Sequence, residues 1–154
     1  MAFVHRVRVR YGECDMQGVV FNAHYLAYVD DATDTWFRAA LGGDYERHGV
    51  DVMLKKAVVD WRRPLRFPDE VELLCSVSRW GTASFDVAVD GVVGGEDRFT
   101  ARITYVCVGH GTTQPMRVPP VLREALDGDA AREATAGSPA NPASAQDTAP
   151  APTT

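Results

Sequence analysis

The stretch Asn22-Ala23-His24-Tyr25-Leu26-Ala27-Tyr28-Val29-Asp30-Asp31-Ala32-Thr33-Asp34-Thr35-Trp36-Phe37-Arg38-Ala39-Ala40-Leu41-Gly42-Gly43 decides the fold. From Tyr25 the apolar residues recur at Leu26, Tyr28, Val29, Ala32, Trp36, Phe37, Ala40 and Leu41. That is the i, i+3, i+4, i+7 pattern of a helix with one buried face, held for about four turns. Asp30, Asp31, Asp34 and Arg38 stand opposite. Gly42-Gly43 ends the pattern, because glycine adopts the left-handed conformation past a last helical turn at little cost. Asn22 is the predicted N-cap, its side-chain oxygen suited to an orphan N–H of the first turn.

Outward from this helix the chain reads as strands. Before it, Val7, Val9 and Tyr11 alternate with Arg6, Arg8 and Arg10, a period of two with one wet face. After it, Val52 to Trp61 forms a strand that Pro64 and Pro68-Asp69 break. Val71, Leu73, Cys75 and Val77 alternate through a second, and Trp80-Gly81-Thr82 turns into Ser84–Val93. Gly94-Gly95-Glu96-Asp97 turns into Arg98–Val108, and Pro119-Pro120 opens a short helix over Val121–Leu126. One strand, one long helix and a meander of four or five strands predict an α+β domain, an antiparallel sheet wrapped around a single central helix. One helix cannot cover both faces of that sheet, and long strands leave apolar edges to hide, so a homodimer or homotetramer is expected.

Composition narrows the setting. The 154 residues are 45% apolar and 24% charged, enough for one packed domain. Lys plus Arg is 16 against 21 for Asp plus Glu, a net charge of −5, which argues against a nucleic-acid partner. No apolar run approaches the roughly 18 residues of a membrane span, and the arginine-bearing start has no apolar core of a secretory signal. Cys14, Cys75 and Cys107 are odd in number and widely spaced, which predicts reduced thiols in the cytoplasm and no metal site. From Gly128 on, 21 of 27 residues are Ala, Pro, Thr, Ser or Gly. Alanines alone cannot return the entropy that ordering costs, so a folded domain over 1–127 and a disordered tail over 128–154 are expected.

Chemistry concentrates in Asp15-Met16-Gln17-Gly18-Val19-Val20-Phe21-Asn22-Ala23-His24-Tyr25, where a carboxylate precedes the helix start across a glycine-containing loop. Unpaired N–H groups and the positive dipole end of a helix N-terminus suit an oxyanion, and a neighbouring carboxylate can attack a carbonyl or activate water. Asp15 can equally serve as a turn residue that bonds local backbone.

This stretch resembles the hotdog-fold acyl-CoA thioesterases of the 4-hydroxybenzoyl-CoA thioesterase type. Their signature is an aspartate, glycine three on, an apolar residue five on, Asn or His seven on and Tyr ten on, filled here by Asp15, Gly18, Val20, Asn22 and Tyr25. LAYVDDATDTWFRAALG, VDWRRPLRFPDEVEL and ITYVCV resemble the family's central helix, its second and third strands with the bend between them, and its last long strand. The likeness spans about residues 4–126. It implies hydrolysis of an acyl-CoA or related acyl thioester to acid and thiol, without a cofactor. Asp15 matches the catalytic carboxylate, as nucleophile or as general base, and the backbone N–H near Asn22 the donor to the thioester carbonyl. Tyr25 belongs to the same substrate-binding signature. Several relatives place His at the Asn22 position and Asn two residues later, whereas here Asn22 precedes His24. The Asp–His pair of the hotdog hydratases is absent, since Val20 stands five residues after Asp15. A non-catalytic acyl-CoA or acyl-carrier-protein binding module is the alternative from another class.

Lys55, Lys56, Arg62, Arg63 and Arg66 concentrate positive charge in an acidic chain. Arg62 and Arg63 are the candidates for coenzyme A phosphates, although charges at strand ends are commonly only solvated. Trp36, Trp61 and Trp80 read as core or interface packing. Asp15 beside Cys14 disfavours a thiolate, so Cys14 is not expected to be a nucleophile.

Overall fold

The computed structural model describes residues 2–128; the expected tail, from 129 onward, lies outside them. Five strands and two helices follow in the order β1 (Phe3–Arg8), α1 (Asn22–Ala40), β2 (Val50–Trp61), β3 (Glu70–Trp80), β4 (Ser84–Val93), β5 (Glu96–Gly109) and α2 (Pro120–Asp127). They make one antiparallel sheet of order β1-β3-β4-β5-β2.

The long helix and the meander are present as the sequence predicts, and one face of α1 packs on the sheet. Tyr25, Tyr28, Val29, Ala32, Trp36 and Phe37 are buried there against Leu73, Phe85, Val87, Phe99, Ile103 and Tyr105. Thr33 is buried among them and stays satisfied, its Oγ1 2.8 Å from the Tyr105 hydroxyl and 3.0 Å from the Val29 carbonyl. The Gly94-Gly95 turn has φ of 56° and 80°, the two positive values a tight β-hairpin turn needs. Gly91 on β4 faces Phe99, and a Cβ there would drive into that ring. The glycine lets Phe99 lie flat across β4 and meet Tyr25 edge-on with centroids 5.0 Å apart.

β2 and β5 each begin two residues early, at Val50 and Glu96, because their pairing with neighbouring strands continues past the expected starts. Two boundaries near the start of α1 also differ from expectation. β1 ends at Arg8, and Tyr11 is exposed rather than inward, opening a single 3-10 turn over Tyr11–Glu13. The Glu13 carboxylate accepts the Arg10 N–H at 2.7 Å and turns the chain before the alternation finishes. Phe21, not Asn22, occupies the N-cap, with no side-chain cap, and Asn22 is the first helical residue. The Phe21 N–H is drawn to the Glu13 carbonyl at 3.0 Å, which sets the helix start one residue early.

Residues 62–69 form a strap that leaves β2 at one edge of the sheet and enters β3 beside the other edge. The Arg62 and Arg63 N–H groups both donate to the Arg98 carbonyl, at 2.8 and 3.0 Å. The Arg98 guanidinium donates to the Pro64 carbonyl at 2.9 Å and sits 3.5 Å from the Asp69 carboxylate. One β5 side chain therefore grips both ends of the strap.

Candidate active site

The strap, the loop before α1 and the helix start meet at one place. Cys14 and Val20 pair as an isolated antiparallel bridge, and Asp15 N–H donates to the Val19 carbonyl at 2.9 Å. Gly18, at φ 75°, returns its N–H to the Asp15 carbonyl at 3.0 Å. The closed loop holds Asp15 half-buried. Its Oδ1 accepts the Gln17 N–H at 2.8 Å, while Oδ2 has no protein partner among the described residues. Asp15 is thus a turn residue and a carboxylate with one oxygen free.

The first turn of α1 supplies donors beside it. Val20 N–H is taken by the Leu65 carbonyl at 2.8 Å, Phe21 N–H by Glu13, and His24 N–H by the Phe21 carbonyl at 2.9 Å. Asn22 and Ala23 N–H find no acceptor among the described residues, and both positions are exposed. Two unpaired N–H groups at a positive helix end polarise whatever oxygen lies before them.

Tyr25 is 2% exposed, and its hydroxyl accepts the Leu65 N–H at 3.0 Å. Its ring meets Trp61 edge-on at 5.6 Å. Burial pushes the phenol pKa up, the Leu65 bond opposes this, and Asp15 adds a smaller upward push. Tyr25 therefore ties the strap to α1 and bears on the site through Leu65, whose N–H it holds and whose carbonyl holds Val20. His24 is half-buried, its ring edge-on to the exposed Phe21.

Arg62 and Arg63 stand exposed at the end of β2. Arg62 lies 3.4 Å from Asp97, and Arg63 lies 2.6 Å from Glu96, both acids from the start of β5. Their charge is partly answered by these pairs. Trp36 is core as expected, whereas Trp61 is 50% exposed on the β2 edge. Cys75 and Cys107 are free and buried, their thiols pushed up to about 12 and about 11 by burial. No three His, Cys, Asp or Glu side chains gather as a metal ion requires among the described residues.

Sequence reasoning did not find the groove of about 710 Å³ beside this site, running between residues 5–11 and the α1 stretch Ala27–Asp31 and bordered by Phe67. Asp15 does not line it, but Glu13 does. The Glu13 Oε1 accepts the Tyr28 hydroxyl at 2.9 Å as well as the Arg10 N–H. Burial first, and Glu13 second, push the Tyr28 phenol far up. Nothing local in the sequence announces this pair; the helical position of Tyr28 predicts only burial.

Known proteins share this fold. A thioesterase superfamily protein from Jannaschia sp. CCS1 has a crystal structure with TM-score 0.76 and 27% identity over 82% of this chain and 91% of that one. The 1,4-dihydroxy-2-naphthoyl-CoA thioesterase from Synechocystis matches in fold, with TM-score 0.71 at 16% identity over 82% of this chain and 96% of that one. A curated Aquifex aeolicus (strain VF5) protein carrying the provisional name of an esterase is 32% identical over 76 residues, 47% of this chain. The chain spans 59% of that relative's length. The family described as the Thioesterase-like superfamily matches residues 9–126, from the end of β1 through α2. The chain belongs to the Thioesterase-like superfamily and has its hotdog fold, a five-stranded antiparallel sheet packed on one long helix.

Proposed function

We propose that the protein hydrolyses an acyl-CoA thioester of the 4-hydroxybenzoyl-CoA thioesterase type, with Asp15 as the reacting carboxylate. The carrying observation is the free Oδ2 of Asp15 in the loop that leads into the helix end bearing the unpaired Asn22 and Ala23 N–H groups, within a chain of this superfamily. The thioester carbonyl oxygen would lie against the helix end. Water attacks the carbonyl carbon as Asp15 takes its proton, the oxyanion is held by the two N–H groups, and collapse expels a thiolate that is then protonated. Direct attack by Asp15 gives the same products through an anhydride, and 18O from labelled water found in Asp15 after one turnover marks that route. A positioned base contributes on the order of 100- to 10,000-fold, and each oxyanion donor on the order of 100-fold or more.

A second copy completes the site in this reading. Asn22 and Ala23 face solvent, and catalysis of this kind needs water excluded around the developing charge. Trp61 joins the Tyr25 ring to the exposed apolar β2 edge, so a partner seated on that edge also walls the site. A folded domain over 1–127 and a cytoplasmic setting, suited to three free thiols, belong to the same reading.

The test is thiol release from aromatic and aliphatic acyl-CoAs by wild type and Asp15→Asn. Release should fall at least about 100-fold in the variant. Near-full turnover by Asp15→Asn overturns the mechanism, and stoichiometric uptake without thiol release by the wild type would mark a binding module instead.

A further inference from the structure

We infer that the groove along the free edge of β1 receives the phosphorylated nucleotide end of the CoA thioester, with Arg8 and Arg10 on its phosphates. The inference rests on the thioesterase reading above and replaces Arg62 and Arg63 as the anchoring cations. β1 pairs with β3 on one side only, so its other side is open along the groove. His5 to Tyr11 covers about 20 Å of extended chain, enough for a long ligand arm.

The groove carries charges of both signs. Arg6, Arg8 and Arg10 line it against the carboxylates of Glu13 and Asp31. Both acids keep their charge and have local partners, Glu13 accepting from the Tyr28 hydroxyl and the Arg10 N–H, and Asp31 lying 2.8 Å from the His5 ring. Arg6 is held by Glu72 at 3.1 Å. Arg8 stands opposite Glu70 in the β1–β3 register, yet neither Arg8 nor Arg10 has a carboxylate within ion-pair distance among the described residues. Arg62 and Arg63, by contrast, each carry an acidic partner. Arg8 and Arg10 thus keep guanidiniums without an ion-pair partner beside the groove, and their planar forks suit phosphate oxygens.

An aromatic platform adjoins them. Tyr11 is 82% exposed and meets Phe67 edge-on at 6.0 Å, and the Arg8 guanidinium lies 5.7 Å over the Phe67 ring. Exposed rings beside guanidiniums offer a stacking face to a nucleobase. The position also fits the reacting end. Phe67 is on the strap whose Leu65 holds Val20, and Glu13 precedes Asp15 by two residues, at most about 7 Å of chain. A ligand with its phosphates at Arg8 and Arg10 can therefore lay its thioester arm along Glu13 toward Asp15.

Titration with adenosine 3′,5′-bisphosphate reads this site without any hydrolysis. Wild type should bind it, Arg8→Ala/Arg10→Ala should weaken binding about 10-fold or more, and Arg62→Ala/Arg63→Ala should change it less than about 2-fold. Arg8→Lys/Arg10→Lys should restore part of the loss, which separates charge from folding damage. In turnover, the preference for a CoA thioester over the matching pantetheine thioester should fall by a similar factor in the Arg8/Arg10 variant. No nucleotide binding by wild type, or weakening by Arg62/Arg63 alone, overturns the inference. Loss of thiol release in Asp15→Asn alongside an unaffected nucleotide affinity in Arg8→Ala/Arg10→Ala would sink the groove while leaving the thioesterase standing. Full turnover by Asp15→Asn with groove-dependent nucleotide binding would do the reverse.

Discussion

The two edges of the sheet are opposites. β1 is six residues long, carries Arg6 and Arg8 on its wet side and has α1 beside it, with His5 reaching Asp31. β2 is twelve residues long, pairs with β5 on one side only and leaves Met53, Leu54, Val58 and Trp61 about half exposed. Short, charged edges resist pairing with other chains, whereas long apolar edges invite it. In the readings proposed above one edge meets a small charged ligand and the other a second copy, and the strap over 62–69 joins the two edges.

The largest effect should come from making the β2 edge resemble the β1 edge. Leu54→Lys with Val58→Lys places charges on the face assigned to the second copy, and a two-fold interface counts each substitution twice. Like charges brought together there cost several kcal/mol, enough to leave monomers at micromolar concentration. Light scattering after gel filtration should show the mass halved, and turnover should fall at least about 10-fold as the site loses its wall. A wild type that is already monomeric, or a variant that keeps its mass, would break the contrast between the edges.

The link between the edges gives the next effect. Tyr25→Phe removes the acceptor of the Leu65 N–H, and Leu65 is fully buried. An orphaned buried N–H costs about 1–3 kcal/mol, so the urea midpoint should drop accordingly. Leu65 also holds Val20, so thiol release should fall with it. Unchanged stability would mean that the strap is secured by Arg98 alone.

What was legible in the sequence follows the same division. α1 was readable because Tyr25, Tyr28, Val29, Ala32, Trp36 and Phe37 repeat at the helical period and all face the core. The β3, β4 and β5 hairpins were readable from alternation and from Gly94-Gly95. The Asp15 loop was legible only as a spacing, since its geometry rests on backbone bonds from Asp15 to Val19, Gly18 to Asp15 and Val20 to Leu65 that the sequence does not report. Tyr25 was noticed for its place in a motif, but its bond to a residue 40 positions away is a product of the strap's path. Likewise, Arg62 and Arg63 look unpaired in the sequence because Glu96 and Asp97 reach them only once β2 and β5 pair.

Each edge also carries a histidine–aspartate contact, and the β2 one supplies the smallest effect. Asp51, on β2, accepts the Gly111 N–H at 2.9 Å and lies 3.0 Å from the His110 Nδ1. The bond to Asp51 raises the His110 pKa, and the Gly111 N–H, then His110, lower that of Asp51. A raised histidine contributes stability that is complete below its unfolded value, roughly 6.5, and is lost as pH rises through its folded value. A lowered carboxylate contributes stability that is complete above its unfolded value, roughly 3.9, and is lost as pH falls through its folded one. The pair therefore supports the β2 end most fully between about pH 4 and 6.5. Exposure to solvent keeps the contribution small. Asp51→Asn should lower the His110 titration while Glu46 and Asp44 still push it up, and the stability gap between variant and wild type should be wider at pH 5.5 than at pH 9. A gap unchanged from pH 5.5 to pH 9 would show that Asp51 acts through Gly111 alone.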